Sequence, residues 1–548
     1  MGVLSNTGIR MGASGAGETG TPINIAKSLR FNEDDSAYLN KTFSSAGNRK
    51  TWTWSAWVKL GKLENNGYLF AARSDNNNRL YLKYNSDGTL YGFTGNSDSK
   101  QFQTTEKFRD PTAWYHIVWT FDMSNATERD RQIVYVNGTR TTNSQSNAYN
   151  QNFDGAINDN IEHRIGNAIH QDELFDGYFA DVYFIDGLAL KGSDFGMTDA
   201  TNNQWVPKEF TKSYGSNGFR LKFSNTSDIG EDLSGNNNDW TANNLSASSG
   251  VGLDILNDVP GTPYDNSLNG GGNYCVLNPL DMRAGGTLNG GNLNATLSGT
   301  GSLPGRGFAL GTIAASAGKW YFEITINSWD PSDRATQVRV GIADIDELDG
   351  ADIRYDTYWY VGDGRIRHDA TNLVTGQATA SVGDVIRCAY DLDDGDFEIW
   401  RGSTSIGSVS SIDSGTYVPI VSNLDGTTST ATFSANFGQR PFEYTPPTGH
   451  KALNTYNLND TKVLSGDYKG TASSDGPVVW MNATPATLKI GTSSPPTSLV
   501  TFDPSDVDPL ANGFKIRNSS TNNGSGTTYY WLATSDYAFK YANARTNE

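Results

Sequence analysis

Hydrophobic alternation is clearest from Ala113 to Asp122, AWYHIVWTFD, where Tyr115, Ile117, Trp119 and Phe121 share one face and His116, Thr120 and Asp122 the other. That pattern predicts a half-buried core strand. Its partner, Ile133 to Asn137, is β-branched and aromatic and stops at Asn137-Gly138, a pair suited to the positive φ of a tight turn. The phrase recurs from Asp384 to Gly402: Ile386, Cys388, Tyr390 and Leu392 share a face, Asp393-Asp394-Gly395 turns the chain, and Phe397 to Trp400 returns. Two copies of one hairpin predict two β-sandwich units.

Further strands are predicted at Ser28 to Phe31, Trp52 to Leu60, Tyr68 to Arg73, Arg79 to Tyr84, Tyr178 to Asp186 and Gly218 to Phe223, with turns at Asp87-Gly88 and Asp186-Gly187. In the second of these, Trp52, Trp54, Ala56 and Val58 share a face and Trp57 takes the other, so the strand is either covered on both sides or carries an exposed ring usable as a sugar platform. Residues 246–303 are loop-like, rich in Gly, Asn, Ser and Leu without a period, and are expected to form a protease-accessible connector in which Asn273 to Asp281 packs on a neighbour. Beyond it, Lys319 to Ile326 alternates, Trp320, Phe322, Ile324 and Ile326 inward and Lys319, Tyr321, Glu323 and Thr325 outward. Val338 to Asp344, Tyr417 to Asn423 and Ala431 to Gly438 complete the second unit. Val478 to Asn482, Ala486 to Gly491, Gly513 to Asn518 and Thr528 to Ser535 predict a third, smaller β unit.

The 548 residues suit three or four domains, at roughly 100 to 200 residues each. Gly, Ser, Thr and Asn abound and no segment keeps a helical period, so the fold class is all-β: tandem antiparallel β-sandwiches with a small C-terminal β domain. The boundaries are an arm at 1–24, sandwiches at 25–245 and 304–449 flanking the connector, and the small domain at 450–548. A net charge of −18 without clustered Lys or Arg argues against nucleic-acid binding. Cys275 and Cys388 are predicted not to pair, no apolar run reaches a membrane span, and Met1 to Gly20 lacks the apolar stretch of a secretion signal. The small polar arm needs a partner to become ordered. Its GAGETG, Gly15 to Gly20, matches a dinucleotide fingerprint only formally, since no strand precedes it and no helix follows.

The order SLRFN, WTWSAWVK, WYHIVWTFD with VYVNG, then FDGYFADVYFIDG, closed by Asn217 to Thr241, resembles the laminin G-like, concanavalin A-like lectin fold found in virion proteins of marine tailed bacteriophages. Asn273 to Asp281 is similar to the inter-domain segment of those proteins, and the closing YYWLATSDYAFKYANA to their last strand. Residues 305–449 resemble a SPRY domain, an interaction module whose inter-strand loops bind, here including Asp352 to Asp363. Hydrolases of the concanavalin-like fold carry paired carboxylates on one strand face. This chain has no such cluster: Glu323 stands alone, and Asp181 and Asp186 lie five apart, on opposite faces. Nor is there metal spacing among the histidines or a Gly-x-Ser-x-Gly elbow. Asp391 to Gly395 reads as a hairpin turn rather than a calcium loop. No cofactor is assigned. Calcium stays open at Asp75 to Asn78 and Asp232 to Asp239, where laminin G-like kinship implies a rim ion and turn chemistry offers the plainer account.

The resemblance implies a non-enzymatic virion protein assembled in the host cytoplasm, foremost a tail fibre or host-recognition protein, with a capsid-attached fibre or decoration protein and a glycan-degrading tailspike as alternatives. A secreted bacterial adhesin, a third class, is disfavoured by the missing signal. Expected partners are other virion proteins through the arm, host-surface glycans at the sandwich rims, and further copies of the chain, a trimer for a tail fibre; nucleic acid and membrane insertion are not expected. The binding candidates are the rim-loop residues Asp75, Asn77, His170, Asp172, Glu173, Arg354, Tyr358 and Trp359, polar and aromatic groups suited to hydroxyl-rich ligands.

Overall fold

A computed structural model describes residues 20–63, 65–94, 101–146, 150–169, 173–199, 204–282, 286–298, 307–329, 338–345, 357–368, 371–423 and 430–458, with short backbone pieces between 489 and 516. Residues 1–19 of the N-terminal arm, Val478 to Asn482 and Thr528 to Ser535 lie outside the described residues, while Pro22 and Ile23 at the arm's end bond beside Pro207 and Lys208.

Alternation in Thr51–Leu60 and Trp114–Asp122 puts their inner residues, Trp52, Trp54, Ile117, Trp119 and Phe121, into the core between two sheets. One sheet runs Thr139–Arg140, Gln132–Val136, Trp114–Asp122, Thr51–Leu60, Gly177–Asp186, Ser28–Phe31, Ile255–Leu256, with Phe219–Leu221 also on Gly177–Asp186. The facing sheet runs Asn143–Ser146, Gln101–Thr104, Leu90–Thr94, Arg79–Tyr84, Gly67–Arg73, Glu162–Ile165, Tyr38–Thr42, Thr241–Asn243. The tight turn at Asn137 and Gly138 takes φ of 48° and 79°, as its residue types require. A register shift between Ala180 and Tyr183 resets the face of Gly177–Asp186, and Asp181 at φ 47° is held there by Arg220 through two bonds of 2.8 and 3.0 Å.

The outer face of the first sheet is also covered. Val118, Tyr183, Leu190, Phe195 and Phe210 form a small core over it, and Trp57, Trp114, Tyr178 and Trp205 join the large core of the second sandwich. Trp57 is therefore a buried ring, stacked on His116 at 4.8 Å, and not a sugar platform.

The second sandwich pairs a sheet ordered Leu277–Met282, Gly307–Gly311, Tyr417–Asn423, Val338–Asp344, Thr357–Val361, Arg365–His368, Thr371–Val374 with one ordered Gly286–Asn289, Asn294–Ser298, Thr430–Asn436, Lys319–Trp329, Val385–Asp391, Asp396–Arg401, Thr404–Ser410. The fold is all-β, two tandem antiparallel sandwiches. Two expectations change here. Residues 246–303 are not a loose connector: they supply strands to both sheets, and Val276, Leu277, Leu293 and Leu297 are fully buried. Gly and Asn mask this in the sequence because Gly290, Gly291 and Asn292 form a left-handed turn, φ 58°, 66° and 61°, that lets two short strands pair. The expected outer face of Lys319–Trp329 is likewise covered: Tyr321 packs edge-on against Phe442 at 4.8 Å, and Glu323 accepts the backbone N–H groups of Glu443 and Tyr444, each at 2.9 Å.

Buried polar contacts join the two sandwiches. Lys59 donates to Asp258 and Asn273, both at 2.7 Å, and Asp258 also accepts Trp114 Nε1–H at 3.0 Å; both side chains of this ion pair are 0% exposed. Asp176 accepts the N–H groups of Gly290 and Gly291 at 2.7 and 2.8 Å, and Tyr178 donates to the Gly291 carbonyl at 2.6 Å. Farther on, Lys489–Ile490 pairs with Val500–Thr501, and Val507–Leu510 with Gly513–Ile516.

Candidate functional site

The facing sheet of the first sandwich is amphipathic. Leu80, Leu82 and Tyr84 point into the core, so Arg79, Tyr81 and Lys83 point out, and beside them Tyr91 and Phe93 alternate with Leu90. Register aligns Phe93, Tyr81, Ala71, Arg164 and Asn40 in one row across five strands, and Gln103, Tyr91, Lys83 and Tyr68 in the next. Tyr81 meets Tyr68 edge-on at 4.9 Å and stacks on Phe93 at 5.3 Å.

Cations lie on these rings. Lys83 Nζ is 5.7 Å from both the Tyr68 and Tyr91 centroids, the Arg79 guanidinium 4.7 Å from Phe93, and Arg164 4.4 Å from Tyr38. Glu173 enters from the adjoining loop: its carboxylate accepts Lys83 Nζ at 3.1 Å and Asn66 Nδ2 at 2.9 Å. Burial pushes the phenol of Tyr81 up to about 12 and that of Tyr68 higher, the Glu173 charge adding to the latter. Both stay neutral donors at ordinary pH.

Of the predicted site residues, Glu173 belongs to this face. Asp75 and Asn77 sit exposed on the hairpin between Arg73 and Arg79, where Asp75 accepts the N–H groups of Asn77 and Asn78 at 2.7 and 3.0 Å, bonds that hold its carboxyl below the usual range. His170, Asp172 and Arg354 lie outside the described residues. Tyr358 and Trp359 are corrections: they belong to the buried strand Thr357–Val361, not to a loop. Trp359 is 0% exposed with Arg339 over its ring at 4.4 Å, and Tyr358 is stacked on His368 at 4.0 Å with its hydroxyl on Asp413. A strand covered on both faces shows no alternation, which is why TYWYV reads as a loop of aromatics.

The oxygen-rich loops are built as turns. Asp232 accepts the N–H groups of Arg220, Ser234 and Asn238, and Asp239 that of Asp232, all at 2.8 to 2.9 Å. Among the described residues no three metal-ligating side chains converge. At Asp391 to Gly395 the Asp391 carboxylate accepts the N–H groups of Asp393 and Asp394, Gly395 N–H donates to the Asp391 carbonyl at 2.9 Å, and Lys319 pairs with Asp391 and Asp394. A cleft of about 390 Å³ beside Gly20, Ile23 and Lys208 offers little, since Lys208 Nζ is spent on the Ser193 carbonyl at 2.7 Å.

One contact resembles catalytic machinery: Ser55 Oγ lies 2.9 Å from His116 Nε2. His116 Nδ1, however, accepts Trp205 Nε1–H at 3.0 Å, so the proton sits on Nε2 and is donated to Ser55. This imidazole cannot take the serine proton, and burial pushes its pKa down to about 3.

Comparison with known proteins now bears on the first sandwich. Residues 31–192 match the family model described as the concanavalin A-like lectin/glucanases superfamily. Solved structures similar to parts of the chain include the SPRY domain of human HERC1 (14% identity, 31% of this chain and 99% of that one, TM-score 0.26). Others are a protein from Bacteroides ovatus ATCC 8483 provisionally described as carbohydrate-binding (16%, 41% and 59%, 0.27) and the heptameric SAP-like pentraxin of Limulus polyphemus (18%, 31% and 81%, 0.23). No curated protein sequence matches the chain. Tyr68, Tyr81, Lys83, Tyr91 and Arg164 escaped the sequence reading, although RLYLKY and LYGF already alternate in the required way.

Proposed function

We propose that the chain is a non-catalytic carbohydrate-binding protein of a virion. The observation that carries the binding is the outward aromatic and cationic face of the first sandwich, within the lectin-type family match. Sugar rings present C–H faces that pack on phenols such as Tyr81, while their hydroxyls meet Lys83, Arg164 and Asn40. The reading without catalysis is supported by the spent carboxylates: Asp181 is paired with Arg220, and Glu323 is tied to backbone N–H groups. The virion setting rests on the sequence resemblance, with a tail fibre first and a capsid fibre second.

The test is to incubate the purified chain with host envelope polysaccharide and follow retention and new reducing ends together. Retention without new ends is expected, and Tyr81→Ala should reduce it. Steady release of oligosaccharide would replace this reading with that of a glycan-degrading tailspike.

A further inference from the structure

Two donors converge on the Glu173 carboxylate, the Lys83 ammonium at 3.1 Å and the Asn66 amide at 2.9 Å. They stand at the end of a row of rings, and that is the equipment for recognising a carboxylate attached to a sugar. This face carries Arg73, Arg79, Lys83 and Arg164 against two carboxylates, Glu162 paired with Arg164 at 2.7 Å and Glu173 with Lys83, in a chain whose net charge is −18. Arg73 donates to neutral acceptors, the Ile169 carbonyl at 3.2 Å and Asn76 Oδ1 at 2.6 Å. Asp75 and Asp87 belong to the turns: Asp75 accepts the N–H groups of Asn77 and Asn78, and Asp87 accepts the Thr89 N–H and, at 2.9 Å, the Gln103 amide.

Resting on the glycan-binding reading, we propose that this face takes acidic polysaccharide, and that Glu173 occupies the seat of the ligand's own carboxylate. A uronate or other acidic sugar stacked against Tyr81 and Tyr91 takes over Lys83 and Asn66 as Glu173 yields them. The row from Phe93 to Asn40 crosses four inter-strand gaps of roughly 4.8 Å, and since Phe93 and Ala71 within it are buried, an extended chain lying across the strands meets the half-buried rings of Tyr81 and Tyr91. Because the protein's own carboxylate competes, a single site is weak and its occupancy falls with salt.

The proposal distinguishes two polymers on the full-length chain, polygalacturonate and neutral dextran, by affinity electrophoresis at two salt concentrations. Glu173→Gln removes the competitor and is expected to tighten polygalacturonate by roughly tenfold, raising the ratio of polygalacturonate to dextran retention. Lys83→Met with Glu173→Gln removes both charges, keeps the apolar stem between the rings, and is expected to lose that gain. Equal retention of both polymers by the parent and both variants would overturn the acid preference and leave glycan binding standing. Retention of neither polymer, nor of the host polysaccharide, by any of them would overturn both.

Discussion

Replacing Lys59 by Met tests how the two sandwiches are joined. The ammonium is 0% exposed and donates to Asp258 Oδ2 and Asn273 Oδ1 at 2.7 Å and to the Tyr274 carbonyl at 3.2 Å. Met fills most of the stem volume, so the cavity contribution is small; what remains is Asp258, a buried carboxylate whose one other side-chain donor is Trp114 Nε1. An uncompensated buried charge of this kind costs about 3 to 5 kcal/mol. With m on the order of 4 kcal/mol/M, the urea midpoint should fall by roughly 1 M. The assay is equilibrium unfolding followed by tryptophan fluorescence, with Lys59→Met/Asp258→Asn as companion, which removes the stranded charge and should recover part of the loss. A Lys59→Met midpoint within about 0.2 M of the parent would refute the reading of this pair as a buried weld.

Trp119→Ala should cost on the order of 3 to 5 kcal/mol in the same assay, because the ring is 0% exposed, meets Trp52 edge-on at 4.8 Å and gives up its bond to Gln132. Limited proteolysis should spare 253–260 and 270–278, which the structure packs into the junction; early cleavage there would count against that packing. His116 and His163, pushed down by burial to about 3 and 4, stay neutral in the fold while the unfolded chain takes protons below about 6.5. Each therefore removes roughly 1.4 kcal/mol of stability per pH unit from there toward its folded value, whereas Asp176, raised by burial to about 6, adds stability as pH falls from 6 toward 3.8. His116→Gln should shallow the acid slope of the urea midpoint by about one proton, and an unchanged slope would mean that this imidazole is not buried neutral.

Much of the fold is legible because one-sided strands announce themselves. Arg79–Tyr84 has the bounds its alternation predicts, and the hairpin at Asp393-Asp394-Gly395 turns at Gly395 with φ 77°. Strands such as Glu162–Ile165 and Gly286–Asn289 were missed because short, polar edges carry too few apolar positions to mark a period. The candidate site was less legible still. Lys83 and Glu173 are 90 residues apart, and Tyr38 meets Arg164 only because their strands pair, so no local spacing could have joined them. Trp359 failed for the opposite reason, its conspicuous ring being consumed by the core.

The buried joints have a consequence for the proposed binding. A face of the kind described makes weak individual contacts, and several copies reach useful avidity only when their sites meet a surface together, where gains of roughly 10² to 10⁴ depend on geometry. A floppy link between sandwiches would dilute that effective concentration. Here Lys59 with Asp258, and Asp176 with the turn at Gly290 and Gly291, fix the first sandwich to the second through contacts that are costly to break. The aromatic face then stands in a set orientation on the second sandwich, which is the arrangement that multivalent recognition of a repetitive glycan requires and that a single tight site would not need.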